Sequence, residues 1–236
     1  ITIKWTLVVI LFLILLASLF FFQIKKQQSE YHKNELQVWA SMKEGITYIY
    51  RTKEILGALC LDMFAVLFGG AVAMIPVYAS DILKVGADGF GILNAASDIG
   101  SMMIIVTLSF IPLRKNQGKI LIGVVAGFGL CIIGFGLSKL YWLSFLFLML
   151  SGIFDGISVV IRGTIVQLKT PDHIRGRVMS ANSIFIMSSN EMGQFESGVA
   201  AKLLGVVRSV VFGGIMTVLI ALFVGKFVPK LRKMEY

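Results

Sequence analysis

The stretch VMSANSIFIMSSNEMGQFESGVAA, residues 178–201, is long enough for a membrane-spanning helix but contains Glu191 and Glu196. An ionisable residue near the bilayer centre costs at least about 2.5–3.5 kcal/mol on insertion scales, so it needs a partner, a water-filled cavity or a function. On a helical wheel the polar residues of this stretch form one broad arc, with the two glutamates at its opposite borders. We therefore expect one helix of a polytopic membrane protein, with different roles for its two carboxylates.

The composition of the whole chain supports this interpretation. Of the 236 residues, 57% are hydrophobic and only 15% are charged, which is outside the usual range of soluble domains. Seven apolar blocks reach the roughly 20 residues that a helix needs to cross a bilayer. They are 3–24, 55–79, 89–111, 119–138, 141–168, 178–201 and 207–228. We predict an all-α protein with seven transmembrane helices and the lipid bilayer as its surroundings.

The basic residues indicate the orientation of these helices. The connections 25–54, 112–118 and 169–177 and the tail from 226 carry, together with Lys119, sixteen Lys and Arg residues; the opposite connections, with Arg208, carry four. Since short cytoplasmic connections are rich in Lys and Arg, the first set and the C-terminal tail are predicted to be cytoplasmic. Ile1 would then lie outside. Because it is not an initiator methionine, we expect a fragment of a longer protein.

The sequence offers little that points to a cofactor, a nucleic acid or catalysis. The net charge of +9 is explained by topology, and no basic patch with interleaved aromatic residues predicts nucleic-acid binding. Cys60 and Cys131 are single residues within apolar blocks, and His32 and His173 lie in connections. With no Cys-x-x-Cys pair, intramembrane histidine pair or Walker sequence, we expect no disulfide, metal, haem or nucleotide. An intramembrane enzyme lacks support because no Gly-x-Ser-x-Gly sequence is present.

The connection 25–54 is the longest between two apolar blocks. Its second half places six apolar or aromatic residues within about one third of a helical turn: Val38, Trp39, Met42, Ile46, Ile49 and Tyr50. This pattern predicts an amphipathic helix that lies along the membrane surface or under the helix bundle. We favour a linker between two bundles over a direct binding role.

Charged residues recur in a regular order along the six blocks that follow. In chain order they are Asp62, Asp98, none, Asp155 with Arg162, Glu191 with Glu196, and none. Two triplets related by inverted topology are typical of one six-helix half of a secondary transporter. The two plain blocks contain Gly123-x-x-x-Gly127 and Gly213-Gly214, which suit peripheral helices that pack through small residues.

Helical geometry relates several of these residues. Asp155 and Arg162 are seven apart, so they share a helix face at about 10 Å along the axis and are predicted to face a central cavity. Asp62 lies at a depth at which it can pair with Arg162, either for transport or as a salt bridge that fixes helix packing. Asp98 shares a stripe with Ser101, and we favour an interhelical hydrogen-bonded contact over a proton site.

The two glutamates are assigned by depth. Glu191 is near mid-span and is the better candidate for protonation or a cavity contact, with Asn190 and Gln194 on the same polar arc. Glu196 is nearer the outer end, so we expect it to hold a neighbouring helix or an external gate.

Three stretches carry a family resemblance: LCLDMFAVLFGGAVAMIPVYASDIL (59–83), GFGILNAASDIGSM (89–102) and SVVIRGTIVQLKTPDHIRGRVMSANSIFIMSSNEMGQFESG (158–198). The chain over about 50–228 resembles the second half of bacterial major facilitator superfamily transporters, in the branch that includes the enterobactin exporter and related efflux proteins. The stretch PLRKNQGK, 112–119, lacks the clear Gly-x-x-x-Asp-Arg pattern of the superfamily's basic loop, so gating through that loop is not expected.

The resemblance implies twelve helices around a central cavity in the bacterial cytoplasmic (inner) membrane, with the N-terminal half of the transporter missing here. Residues 1–24 would be the sixth helix, 25–54 the cytoplasmic linker, 55–228 the C-terminal six-helix bundle and 229–236 the cytoplasmic tail. It also implies that blocks 55–79 and 141–168 line the cavity, and that Arg175 and Arg177 lie in a cytoplasmic turn. Those two arginines fit gating and ordinary membrane anchoring equally well.

Two functions follow from these expectations. The first is a proton-coupled secondary transporter that exports a small amphipathic molecule, drug-like or siderophore-like. Its candidate substrate- and proton-coupling residues are Asp62, Asp155, Arg162, Glu191, Asn190 and Gln194. The second is a non-transporting truncated membrane protein or scaffold.

Overall fold

The computed structural model describes residues 3–22, 35–113, 115–232 and 234. The chain divides into two compact units, Ile1–Gln37 and Val38–Tyr236. The first unit contains α1 (Ile3–Phe21), whose apolar part is Leu7–Phe21. A helix with apolar side chains on all faces is typical of burial in protein or lipid. Residues 25–34 of the predicted linker lie outside the described residues.

The described part of the second unit is helical. It contains α2 (Glu35–Arg51) from Val38 onward, α3 (Lys53–Phe68), α4 (Ile75–Val77), α5 (Ala87–Phe110), α6 (Gln117–Leu137), α7 (Tyr141–Lys169), α8 (Arg175–Leu204), α9 (Val206–Phe227) and α10 (Pro229–Arg232). Of these, α5, α6, α7 and α9 are long and apolar enough to cross a membrane. The 30-residue α8 is more polar, because it carries the stretch with the two glutamates.

The predicted span 55–79 is not one continuous helix. The helix α3 ends at Phe68, and Gly69 and Gly70 separate it from a 3-10 turn, the short α4 and a π-helical turn, Tyr78–Ile82. Two consecutive glycines favour a helix end, since glycine has the lowest helix propensity after proline. Pro76 cannot donate a backbone hydrogen bond to the preceding turn. The apolar block therefore continues beyond the point where the regular helix stops.

The long helices of the second unit pack in three pairs. Helix α3 packs against α8, α5 against α7, and α6 against α9. Close approach in the last pair depends on Gly129 and Gly214: a Cβ at Gly129 would lie 2.9 Å from the Gly214 carbonyl oxygen, and one at Gly214 would lie 2.8 Å from that of Gly129. The predicted contact through Gly123 is wrong, because Gly123 has open space around it.

Two apolar clusters form the interior of this unit. One includes Ile49 of α2, Leu61 of α3 and Leu231 of α10, and the other includes Tyr78 and Phe135. In the second cluster the Tyr78 hydroxyl donates a 2.8 Å hydrogen bond to the Gly136 carbonyl, so the segment after the α3 break is attached to α6.

The predicted amphipathic helix corresponds to α2, but its apolar residues do not share one environment. Ile49 is fully buried, whereas Trp39 and Tyr50 are exposed. The Tyr48 hydroxyl donates a 2.5 Å hydrogen bond to the carbonyl of Lys169, at the end of α7. Helix α2 therefore packs against the turn between α7 and α8.

Candidate functional site

A cavity of about 450 Å³ lies among α3, α5, α6, α7 and α8. It is lined near the middle of these helices: Phe128 is at mid-length in α6, Asp155 in α7 and Glu191 just past the middle of α8. Substrate sites of secondary transporters lie at this depth, near the bilayer midplane. The cavity is therefore the candidate site.

The cavity contains all six residues predicted for substrate or proton coupling. They are Asp62, Asp155, Arg162, Asn190, Glu191 and Gln194. Two helices contribute most of them: α7 presents Asp155 and Arg162 on one face, and α8 presents Asn190, Glu191 and Gln194. The polar arc of α8 thus faces the cavity at its middle turns.

The carboxylate of Asp62 and the guanidinium of Arg162 form an ion pair between α3 and α7. Asp62 is 6% exposed and Arg162 is 5% exposed. Burial of both charges carries a desolvation penalty that their mutual attraction offsets only while both are present. This pair forms one wall of the cavity and ties the two helices together.

The three other carboxylates of the cavity have no such partner. Asp98, Asp155 and Glu191 form no ion pair or side-chain hydrogen bond with a residue in the described part of the chain. Asp98 therefore does not form the interhelical hydrogen bond expected of it. Ser101, three residues later, makes that contact instead, with its hydroxyl 2.8 Å from the Gly152 carbonyl.

The break after α3 contributes backbone to the cavity wall, since Gly69 and Gly70 are both lining residues. A Cβ at Gly70 would lie 2.9 Å from the Ser197 hydroxyl oxygen and 3.1 Å from the Gly193 carbonyl oxygen. Discontinuous helices of this type are a feature of transporter binding sites. The sequence analysis missed this element, although the adjacent glycines were a usable signal.

The residues predicted for gating or structure lie apart from the cavity, except Asp98. Glu196 is half-buried on α8 and is not among the lining residues. Arg175 forms an ion pair with Asp172 in the turn before α8, and Arg177 forms one with Glu44 of α2. Both arginines therefore hold the turn between α7 and α8.

A family model for transmembrane secretion effectors of the major facilitator type matches residues 2–236. The chain belongs to this family. Comparisons with curated proteins and with solved structures gave no significant match. As a transmembrane secretion effector of the major facilitator superfamily, the protein is a multi-pass membrane protein of a transporter family, which is not a family of enzymes. A lipid bilayer around the helices and a small-molecule substrate fit this assignment.

Proposed function

We propose that this transmembrane secretion effector is a proton-coupled secondary transporter that exports a small amphipathic molecule, in the efflux branch that the sequence resembles. The observation that carries the proposal is the cavity near mid-helix, where charged side chains from four helices meet. Charged residues at this depth are costly and mark substrate or ion pathways. The apolar part of the lining, which includes Phe128, Ile132 and Leu148, suits the apolar part of an amphipathic molecule.

The pairing of the helices supports an inverted 3+3 repeat. In such a repeat α3, α5 and α6 would correspond to α7, α8 and α9. A two-fold axis that exchanges the triplets turns the α3–α8 contact into the α7–α5 contact and maps the α6–α9 contact onto itself. These are the three pairs observed. The repeat belongs to transporters in which one bundle rocks against another around a central site, so the N-terminal half of the transporter is the proposed partner of this bundle.

The proposed coupling uses a carboxylate without a fixed cation. Asp155 lies in the cavity on the same face of α7 as Arg162, whose charge is already paired with Asp62. A proton that enters from outside neutralises Asp155 or Glu191 and favours one cavity state; loss of that proton to the cytoplasm favours the other. Inward proton movement would then drive outward movement of the substrate.

The proposed orientation places the C-terminal tail in the cytoplasm of a bacterial cell, with the protein in the inner membrane. Its support is the excess of Lys and Arg in alternate connections. The α7–α8 turn with Arg175 and Arg177, together with α2, would then lie on the cytoplasmic side.

Transport in inside-out membrane vesicles tests the proposal. Three dyes of different charge would be used: rhodamine 123, Nile red and carboxyfluorescein. We expect uptake of at least one dye that depends on a pH gradient, and a loss of about tenfold or more in the Asp155→Asn and Arg162→Gln variants. Gradient-driven uptake that is unchanged in both variants would contradict the assignment. Absence of uptake for all three dyes would favour the non-transporting scaffold.

A further inference from the structure

The hydroxyl group of Ser158 is a buried polar group for which the transport cycle has no use. Ser158 lies on α7 and is 3% exposed, and its Oγ has no hydrogen-bond partner among the described residues. A buried hydroxyl without a partner costs about 1–3 kcal/mol. Such a cost is removed when a guest molecule supplies the missing hydrogen bond.

The space beside Ser158 is small and acidic. A recess of about 10 Å³ is lined by Ser158 together with Asp62 and Asp155. Both aspartates also line the large cavity, so the recess adjoins it. A recess of this size accommodates about one water-sized group. Ammonium is such a group, and it carries only hydrogen-bond donors, whereas the ionised carboxylates of the recess carry only acceptors.

The charge of the large cavity favours the same class of guest. Its charged lining is four carboxylates, Asp62, Asp98, Asp155 and Glu191, and one guanidinium, Arg162. With the ion pair of Asp62 and Arg162 set aside, three ionised carboxylates remain without a cation, which is four minus one. An anionic substrate would be repelled there, and a cation would be attracted.

The aromatic and aliphatic lining completes the site. Phe128 and Val66 line both the cavity and the recess. An aromatic ring face attracts a cation, most strongly where water is excluded. Ile132 and Leu148 extend the apolar wall of the large cavity, where an apolar molecular body would be removed from water.

We propose that the substrate is an amphipathic organic cation with a primary ammonium group. The ammonium group occupies the recess and donates hydrogen bonds to the Ser158 hydroxyl and the Asp155 carboxylate. The apolar body lies in the large cavity against Phe128 and its aliphatic neighbours. This assignment rests on the proposed transport function, because it names the substrate class of the same cavity.

A binding experiment with two matched probes tests this assignment. The 236-residue chain in lipid nanodiscs is titrated with dansylcadaverine, a primary amine, and with its N-acetyl derivative, which has the same body and no charge. We expect the amine to bind at least about tenfold more tightly than the amide. We expect Asp155→Asn to weaken amine binding by about tenfold and Ser158→Ala by about threefold, with no effect on the amide.

Two controls exclude trivial explanations. Asp88→Asn removes an exposed carboxylate on α5 outside the cavity and should leave binding of both probes unchanged. Ser158→Ala removes no hydrogen bond present in the structure, so its thermal midpoint should match that of the parent chain. Ammonium chloride or sodium chloride at equal ionic strength should not displace the probe selectively; selective displacement by ammonium chloride would identify an inorganic cation site and overturn the proposal.

Equal affinity for the two probes, or no saturable binding of the amine, would also overturn it. The failure of this assignment is distinct from the failure of the proposed function. Gradient-driven dye transport without preference for the amine would leave the transporter intact and reject only the cationic substrate. Preferential binding of the amine without any gradient-driven transport would reject the transport function and leave the binding site.

Discussion

Arg162 of α7 and Asp62 of α3 form a buried ion pair across the wall of the candidate cavity. The two residues are a hundred positions apart in the chain, and each is close to the middle of its helix or to the break that follows it. The pair neutralises the one guanidinium among the charged lining residues. It therefore contributes both to the packing of the bundle and to the acidic character of the cavity.

Removal of either charge of this pair is expected to destabilise the protein. Because the remaining charge would be buried without a partner, Asp62→Asn and Arg162→Met should each cost about 3–5 kcal/mol, and the double variant should recover most of that loss. Unfolding in mixed detergent micelles measures these values. The exposed Arg208→Met serves as the control and should change stability by less than about 0.5 kcal/mol. Additive losses in the double variant would show that the two charges do not interact.

Close packing of α8 on the end of α3 should depend on Gly193. A Cβ at this position would lie 2.7 Å from the Val66 carbonyl oxygen, so Gly193→Ala requires a shift of backbone and should cost about 1–3 kcal/mol. Gly198 is on the same helix and has open space around it. Gly198→Ala should be neutral or stabilising by up to about 1 kcal/mol, since alanine has the higher helix propensity. Thermal unfolding of the two variants compares them directly, and equal midpoints would be inconsistent with the α3–α8 contact.

The two glutamates of α8 should differ in transport. Glu191 lines the cavity and Glu196 does not, so Glu191→Gln should lower gradient-driven dye uptake by about tenfold and Glu196→Gln by less than about twofold. Initial rates in inside-out vesicles, normalised to the amount of folded protein, give the comparison. The assignment of unequal roles fails if Glu196→Gln has the larger effect.

Attachment of α2 to the α7–α8 turn should depend on packing more than on its ion pair. The side chains of Glu44 and Arg177 are both nearly half exposed, so Glu44→Gln should cost less than about 1 kcal/mol. A Cβ at Gly45 would lie 2.7 Å from the Arg177 carbonyl oxygen, so Gly45→Ala should push α2 away from the turn. Hydrogen exchange of the α2 amides measures the release, with Gly176→Ala, a position in open space, as the control. Unchanged exchange in Gly45→Ala would contradict the contact.

Hydropathy alone located several helices closely. The predicted blocks 119–138 and 207–228 correspond to α6 (Gln117–Leu137) and α9 (Val206–Phe227), because long apolar runs bounded by polar residues have few alternatives in a membrane. The block 55–79 was misjudged as one helix. Its residues are apolar throughout, and hydropathy does not register that Gly69, Gly70 and Pro76 interrupt the backbone hydrogen bonds.

The site was foreseen where charge was the signal and missed where shape was. The intramembrane cost of an ionised group pointed to Asp155, Arg162 and Glu191, and all three line the cavity. Phe128 is an aromatic residue in a plain apolar helix, and nothing in its sequence context separates it from a lipid-facing phenylalanine. Ser158 was placed on the right face of α7, but only packing leaves its hydroxyl without a partner.

The sequence by itself determined that this protein is helical, embedded in a membrane and polar inside. Those properties follow from the cost of burying charges and backbone groups in hydrocarbon, which is local and adds along the chain. Only the tertiary structure decided which charges neutralise each other and which remain free. Asp62 and Arg162 meet, whereas Asp98, Asp155 and Glu191 share a cavity without a cation. Electrostatic interaction depends on distance through space, and that distance is set by how glycines such as Gly193 let the helices approach.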